Sequence, residues 1–150
     1  MPNELKELKG KKAIAIDLET NDPHLMTLGS GNVTGRGHIA GVAVAVEGWA
    51  GYFPIHHESG GNMDKNLVLS WLQDVCNQPD TTFIFYNALY DVCWLRSAGV
   101  TVQGKIVDTI IAAVLIDEKR ISFLYTSDAA DDRHGVNHLV QRTTEQTTQD

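Results

Sequence analysis

The chain has 150 residues, 43% of them hydrophobic and 21% charged, and a formal net charge of −7. This length supports one domain with a real core, and the composition excludes a disordered chain, a collagen-like rod and a disulfide-stapled mini-protein. The acidic balance excludes a global basic field, so any nucleic acid must be held by local features or through metal ions.

Residues 12–17 (KAIAID) form a short Ile- and Ala-rich run suited to a buried central strand. A turn-rich stretch over 20–37 follows, with Asn21-Asp22-Pro23 and several glycines. Residues 38–47 (HIAGVAVAVE) read as a second strand and 51–55 (GYFPI) as a short third one, with Pro54 at a strand end or edge. Apolar residues recur with a helical period over 64–76, and Asp64 is placed as its N-cap. Residues 82–86 (TFIFY) read as another buried strand. Asn87 is expected to cap a helix that stops near Gly99, and Asp108 to cap a third helix over 109–117. Strand, strand, strand, helix, strand, helix, helix is an α/β pattern with a mixed sheet, because hairpin-linked strands precede a helical crossover. There are no internal repeats.

Cys76 and Cys93 show neither metal-ligand spacing nor a pairing pattern and read as two buried thiols in a reducing compartment. The first twelve residues have no apolar signal core, and no apolar run approaches the roughly 20 residues of a membrane span. The expected location is cytoplasmic. Trp71 and Trp94 lie on apolar helical faces and are expected in the core, Trp49 partly buried near a strand start. His56 and His57 are expected to be loop residues.

Chemistry is carried by carboxylates. Asp17 and Glu19 sit two apart at the end of the first strand, so they project to one face while Leu18 packs on the other. Two neighbouring carboxylates repel unless a cation neutralises them, and hard ions such as Mg²⁺ take oxygen ligands of this kind. In Tyr86-Asn87-Ala88-Leu89-Tyr90-Asp91 a second strand ends, and Asp91 lies one helical turn beyond Asn87. Val107-Asp108-Thr109 again delivers an acid to a helix start. Each piece has an ordinary reading as a cap or an exposed acid. Jointly they place acids at strand ends of an α/β sheet, where sites form.

The order DLET, NALYD, then DT before an apolar helix resembles the DnaQ-like 3′–5′ exonucleases of the ribonuclease H-like fold. It is most similar to the proofreading domain of family A DNA polymerases, including phage ones. The YFPIHHE segment at 52–58 and Asp117-Glu118-Lys119-Arg120 also look similar to that group, and the resemblance spans residues 11–123. It implies a mixed sheet flanked by helices and phosphodiester hydrolysis at a DNA 3′ end. It implies Asp17, Glu19 and Asp91 as catalytic ligands of two divalent ions, Mg²⁺ or Mn²⁺. Thr20, Asn87 and Tyr90 would contact the terminal nucleotides, and Asp108 would support the ligands without binding metal. The implied partners are a single-stranded DNA 3′ end and a covalently linked polymerase domain. A DnaQ-like RNA exonuclease and a silent nucleic-acid-binding module of the same fold are the alternatives.

The family's third motif, Tyr-x-x-x-Asp or His-x-x-x-x-Asp, has no match: Tyr125 is followed four residues on by Ala129, and His134 five residues on by Leu139. Residues 124–150 contain only seven hydrophobic residues in 27, and LYTSDAADD resembles a translated sequencing adapter. The expected organisation is therefore a partial exonuclease domain over 1–123, truncated on its C-terminal side, and a non-native or disordered tail over 124–150. Residues 1–123 carry 10 Lys+Arg against 14 Asp+Glu, a formal charge of −4. Loss of the third-motif ligand leads to the expectation of a fragment with little or no nuclease activity and marginal stability.

Overall fold

The computed structural model describes residues 3–116. The chain divides into two compact units, Met1–Thr109 and Ile110–Asp150. The expected tail, the third-motif position and the 117–120 segment lie outside the described residues.

The first unit is built on a five-stranded mixed sheet. Its strands are β1 (Ala13–Asn21), β2 (His38–Val46), β3 (Trp49–Pro54), β4 (Thr82–Phe85) and β5 (Lys105–Asp108). Their spatial order is β3-β2-β1-β4-β5. The β1–β2 and β2–β3 pairs are antiparallel, and the β1–β4 and β4–β5 pairs are parallel. Two short helices, α1 (Leu25–Leu28) and α2 (Gly31–Thr34), interrupt the stretch between β1 and β2. Helix α3 (Lys65–Cys76) joins β3 to β4, and α4 (Ala88–Ser97) joins β4 to β5. Parallel neighbours need such crossovers, whereas the antiparallel β2–β3 pair is joined by a tight turn and β1–β2 by the longer stretch that holds α1 and α2. Helix α5 (Thr109–Ile116) carries the chain into the second unit.

Period-two burial along β1 defines the two sheet faces. Ile14, Ile16 and Leu18 are buried, while Ala15, Asp17 and Glu19 are only partly covered. The apolar face continues through Val42 and Val44 of β2, Phe53 of β3, and Phe83 and Phe85 of β4. Val68, Trp71, Leu72 and Val75 of α3 and Trp94 and Leu95 of α4 complete that core. Trp71 and Trp94 are core residues and Trp49 is partly buried at the start of β3, as the sequence suggested. The Trp71 indole also donates to the Lys6 carbonyl at 2.9 Å, which fastens the N-terminal segment to α3. Pro54 ends β3, an edge strand, where its missing N–H breaks no ladder.

Several boundaries differ from expectation. Strand β1 runs four residues past Asp17, because its polar end still pairs with β2 up to the Asn21–His38 contact. The segment before Asp108 is a true strand, four residues long and paired to β4. Asp64 caps α3 as expected, its carboxylate accepting from the Leu67 N–H at 2.9 Å. Replacement by alanine, D64A, is expected to cost about 1 kcal/mol. The check is a lower urea midpoint with an unchanged slope.

Candidate active site

Asp17 and Glu19 project from the sheet face opposite the core, close to the point where β1 loses its regular pairing. The register against β2 shifts between Glu19 and Thr20, so Glu19 faces Gly41 but Thr20 faces Ile39. Such bulges bend a strand and re-aim its side chains. The skipped residue, Ala40, accepts from the N–H groups of both Ile55 and His56, at 2.9 Å each. That pair of bonds brings the chain after β3 alongside the end of β1.

Asp91 reaches the same strand from α4. Its Oδ1 accepts from the Leu18 N–H at 3.2 Å. At 3% exposure it is the one buried acid among the described residues. Burial, then the nearby charge of Asp17 and more weakly that of Asp108, push its carboxyl up from 3.8 to about 8. Asp17 and Asp91 are thus brought within electrostatic reach of each other. Glu19 shares the strand face of Asp17, and its charge acts on the Tyr52 phenol, which burial and then Glu19 hold above the usual tyrosine range. Among the described residues, no group of three or more His, Cys, Asp or Glu side chains stands close enough to share one ion.

The start of α4 is built differently from expectation. Asn87 adopts a left-handed backbone, φ 62° and ψ 57°, and makes no side-chain cap. Asparagine tolerates that conformation better than most residues. The cap comes from Asp108 at the end of β5, whose carboxylate accepts from Asn87 N–H at 3.2 Å and Ala88 N–H at 2.8 Å. Asp108 therefore fixes where α4 begins, three residues before Asp91. Its replacement by alanine, D108A, is expected to cost about 1–2 kcal/mol through the lost cap, measured as a lower melting midpoint.

Thr20 and Tyr90 come together, sharing a 2.8 Å hydrogen bond between their hydroxyls. The Tyr90 hydroxyl also donates to Asp22 at 3.3 Å, and Asp22 accepts from Gly31 N–H at 2.9 Å. The loop carrying α1 and α2 is thereby tied to α4. Tyr90 is half-buried with its ring edge-on to Trp94, and Asn87 is exposed at the helix start.

Glu19, Thr20, Asp22, His56, His57 and Glu58 line an open cleft of about 590 Å³. The two histidines are loop residues, as expected, yet both are partnered. His56 stacks on His38 with ring centres 3.9 Å apart, and His57 Nε2 shares a hydrogen bond with the Tyr52 hydroxyl. Tyr52 and His57 were not singled out as site residues by sequence. The available signal was the YFPIHHE segment at 52–58, which the resemblance covered without giving Tyr52 or His57 a role.

A sheet of this order, with its second strand antiparallel and acids where β1 and α4 meet, defines a ribonuclease H-like nuclease fold. A family model for 3′-5′ exonucleases matches residues 2–150, and the chain belongs to that family. A DNA-directed DNA polymerase of Pseudomonas phage M6 is 38% identical over 100 residues, which is 64% of this chain and 15% of the polymerase. The chain thus spans a small part of that relative's length. A solved nuclease in its apo form superposes with a TM-score of 0.51 and 25% identity over 90% of this chain and 53% of that one. Brucella melitensis NrnC with bound Mg²⁺ is 24% identical with a TM-score of 0.49, over 91% of this chain and 55% of its own.

Proposed function

We propose that the exonuclease site of this chain is formed by Asp17, Glu19 and Asp91 and that it acts on single-stranded DNA 3′ ends. The observation that carries the reading is Asp91: a nearly inaccessible carboxyl, beside Asp17, hydrogen-bonded to the backbone of the strand that bears Asp17 and Glu19. A buried acid next to another acid is costly to ionise unless a cation joins them. The donor set is all oxygen, which suits Mg²⁺ or Mn²⁺. Asp17 and Asp91 thus fit as ligands of a shared divalent ion, and Glu19, on the same strand face but not in one cluster with them, would have to turn toward it.

Two such ions, when bound, supply charge that activates water and neutralises the leaving 3′ oxygen. The chain's own residues do the rest. The carboxylates hold the ions at the strand end. Thr20 presents its backbone at the bulge to the terminal sugar, with its hydroxyl already steered by Tyr90. Tyr90 offers a ring edge to a base or ribose, a contact that tolerates any sequence. Asn87, exposed at the start of α4, reaches a sugar or phosphate. Asp108 keeps α4, and so Asp91, in place. Its context is a polymerase that removes its own errors, supported by the phage polymerase relative. Cytoplasmic location fits the free thiols, Cys76 buried as expected and Cys93 only partly so, because it lies on the less covered side of α4. Among the described residues no helix is long and apolar enough to cross a membrane.

The test is a 5′-labelled single-stranded DNA incubated with the chain and Mn²⁺. Little or no shortening is expected, because the third-motif carboxylate has no match in the sequence; whatever trimming remains proceeds from the 3′ end in single-nucleotide steps and is lost in Asp17→Ala. Trimming that survives Asp17→Ala, or internal cleavage, would contradict the reading. An RNA oligonucleotide in parallel decides the substrate, since RNA trimmed faster than DNA would move the site to an RNA exonuclease.

A further inference from the structure

Small residues on β2 open a trough on the sheet face that carries the acids. Gly41 and Ala43 are the cross-strand partners of Glu19 and Asp17, and Ala43 is in turn the partner of Tyr52. Two rows therefore run across the sheet, Asp17–Ala43–Tyr52 and Glu19–Gly41–Pro54. The Tyr52 ring leans from the first row into the second: a Cβ at Gly41 would fall inside the phenol, so only glycine leaves room for it. The hydroxyl end is thus seated over the residue that faces Glu19.

It is also held there from the far side. Tyr52 hydroxyl shares a hydrogen bond with His57 Nε2, and the rings meet edge-on with centres 5.8 Å apart. His57 is itself immobilised, its N–H donating to Asn62 Oδ1 at 2.6 Å and its carbonyl accepting from Asn62 Nδ2 at 2.8 Å. The loop closes where Met63 N–H donates to the Pro54 carbonyl at 2.7 Å, and it opens where Ala40 receives Ile55 and His56. Tyr52 is 44% exposed, so burial does not hold its ring; the hydroxyl is held by its one hydrogen bond to His57, whose own backbone is fixed by Asn62.

We infer that Tyr52, braced by His57 and Asn62, is a positioning residue that fixes the Glu19 carboxylate for cation binding. The inference rests on the proposed site and adds to it a brace that comes from β3 and its following loop. Groups that orient a ligand from behind typically change metal affinity by about 10–100-fold when removed. Tyr52 is a positioning residue in this sense and makes no contact with the reacting atoms.

The experiment measures Mn²⁺ affinity by electron paramagnetic resonance, alongside the melting temperature, for the full chain and variants. Tyr52→Phe keeps the ring and loses the hydroxyl; it is expected to weaken Mn²⁺ binding about tenfold with little change in melting temperature. His57→Ala should match it, the double variant should be no worse than either single one, and His57→Gln, which can still bond the phenol, should recover most of the affinity. Wild-type affinity in Tyr52→Phe, or fully additive losses in the double variant, would overturn the brace. Failure of the underlying site looks different: Mn²⁺ binding would then be absent from the unaltered chain, or indifferent to Asp17→Asn and Asp91→Asn.

Discussion

Asp91→Asn is expected to make the cation-free protein more stable at pH 8 than the unaltered chain, by a few kcal/mol, and the gap should close as the pH falls. The sign follows from the two protonation states. The Asp91 carboxyl ordinarily titrates at 3.8 and in the fold at about 8. Between those values the unfolded chain has lost the proton and the folded chain retains it. Stability attached to this group is therefore fully present below about pH 4, declines with rising pH by up to about 1.4 kcal/mol per unit, and is gone above about pH 8. Asparagine carries no titrating proton and keeps an oxygen for the Leu18 N–H. Urea melts in chelator at several pH values read the difference directly. A variant less stable than wild type at pH 8, or a gap that ignores pH, would show that Asp91 is not held neutral by its surroundings.

The second large effect is the response to divalent ions. At a free concentration of a hundred dissociation constants, Mn²⁺ should stabilise the chain by about 2.7 kcal/mol, or about 10 °C in melting temperature for a domain near this size. A chelator should reverse the shift, and Asp17→Asn and Asp91→Asn should each remove it. Because binding displaces the Asp91 proton, the shift should shrink as the pH is lowered from about 8 toward 5. Equal stabilisation of the wild type and both variants would place the ion elsewhere on the molecule.

Much of this arrangement is legible in the residues because it is local. Alternation along 13–19 separates Ile14, Ile16 and Leu18 from Asp17 and Glu19, and a strand's period of two makes that separation compulsory. The apolar recurrence of α3 and its Asp64 cap are equally local. What escapes is set by partners far along the chain. The polar end of β1 looks like a loop until its pairing with β2 is known. Asn87 reads as a cap because it precedes a helix, yet Asp108, twenty-one residues on, takes that role. The stretch after Asp22 reads as turns, and it contains two helical turns fastened by Tyr90, sixty-eight residues away. Tyr52 lies over Gly41, across from Glu19, and Gly41's small size matters only once β2 stands between Glu19 and Tyr52. Local pattern supplies faces and ends; register and long-range hydrogen bonds decide which faces meet.

The most direct test is a crystal of the chain soaked in Mn²⁺ and examined by anomalous scattering. The account predicts an ion bonded to carboxylate oxygens of both Asp17 and Asp91, with Glu19 swung toward it from the same strand face. An ion bound without Asp91, or Asp91 carboxylate oxygens that stay dry against Leu18 at saturating Mn²⁺, would contradict it.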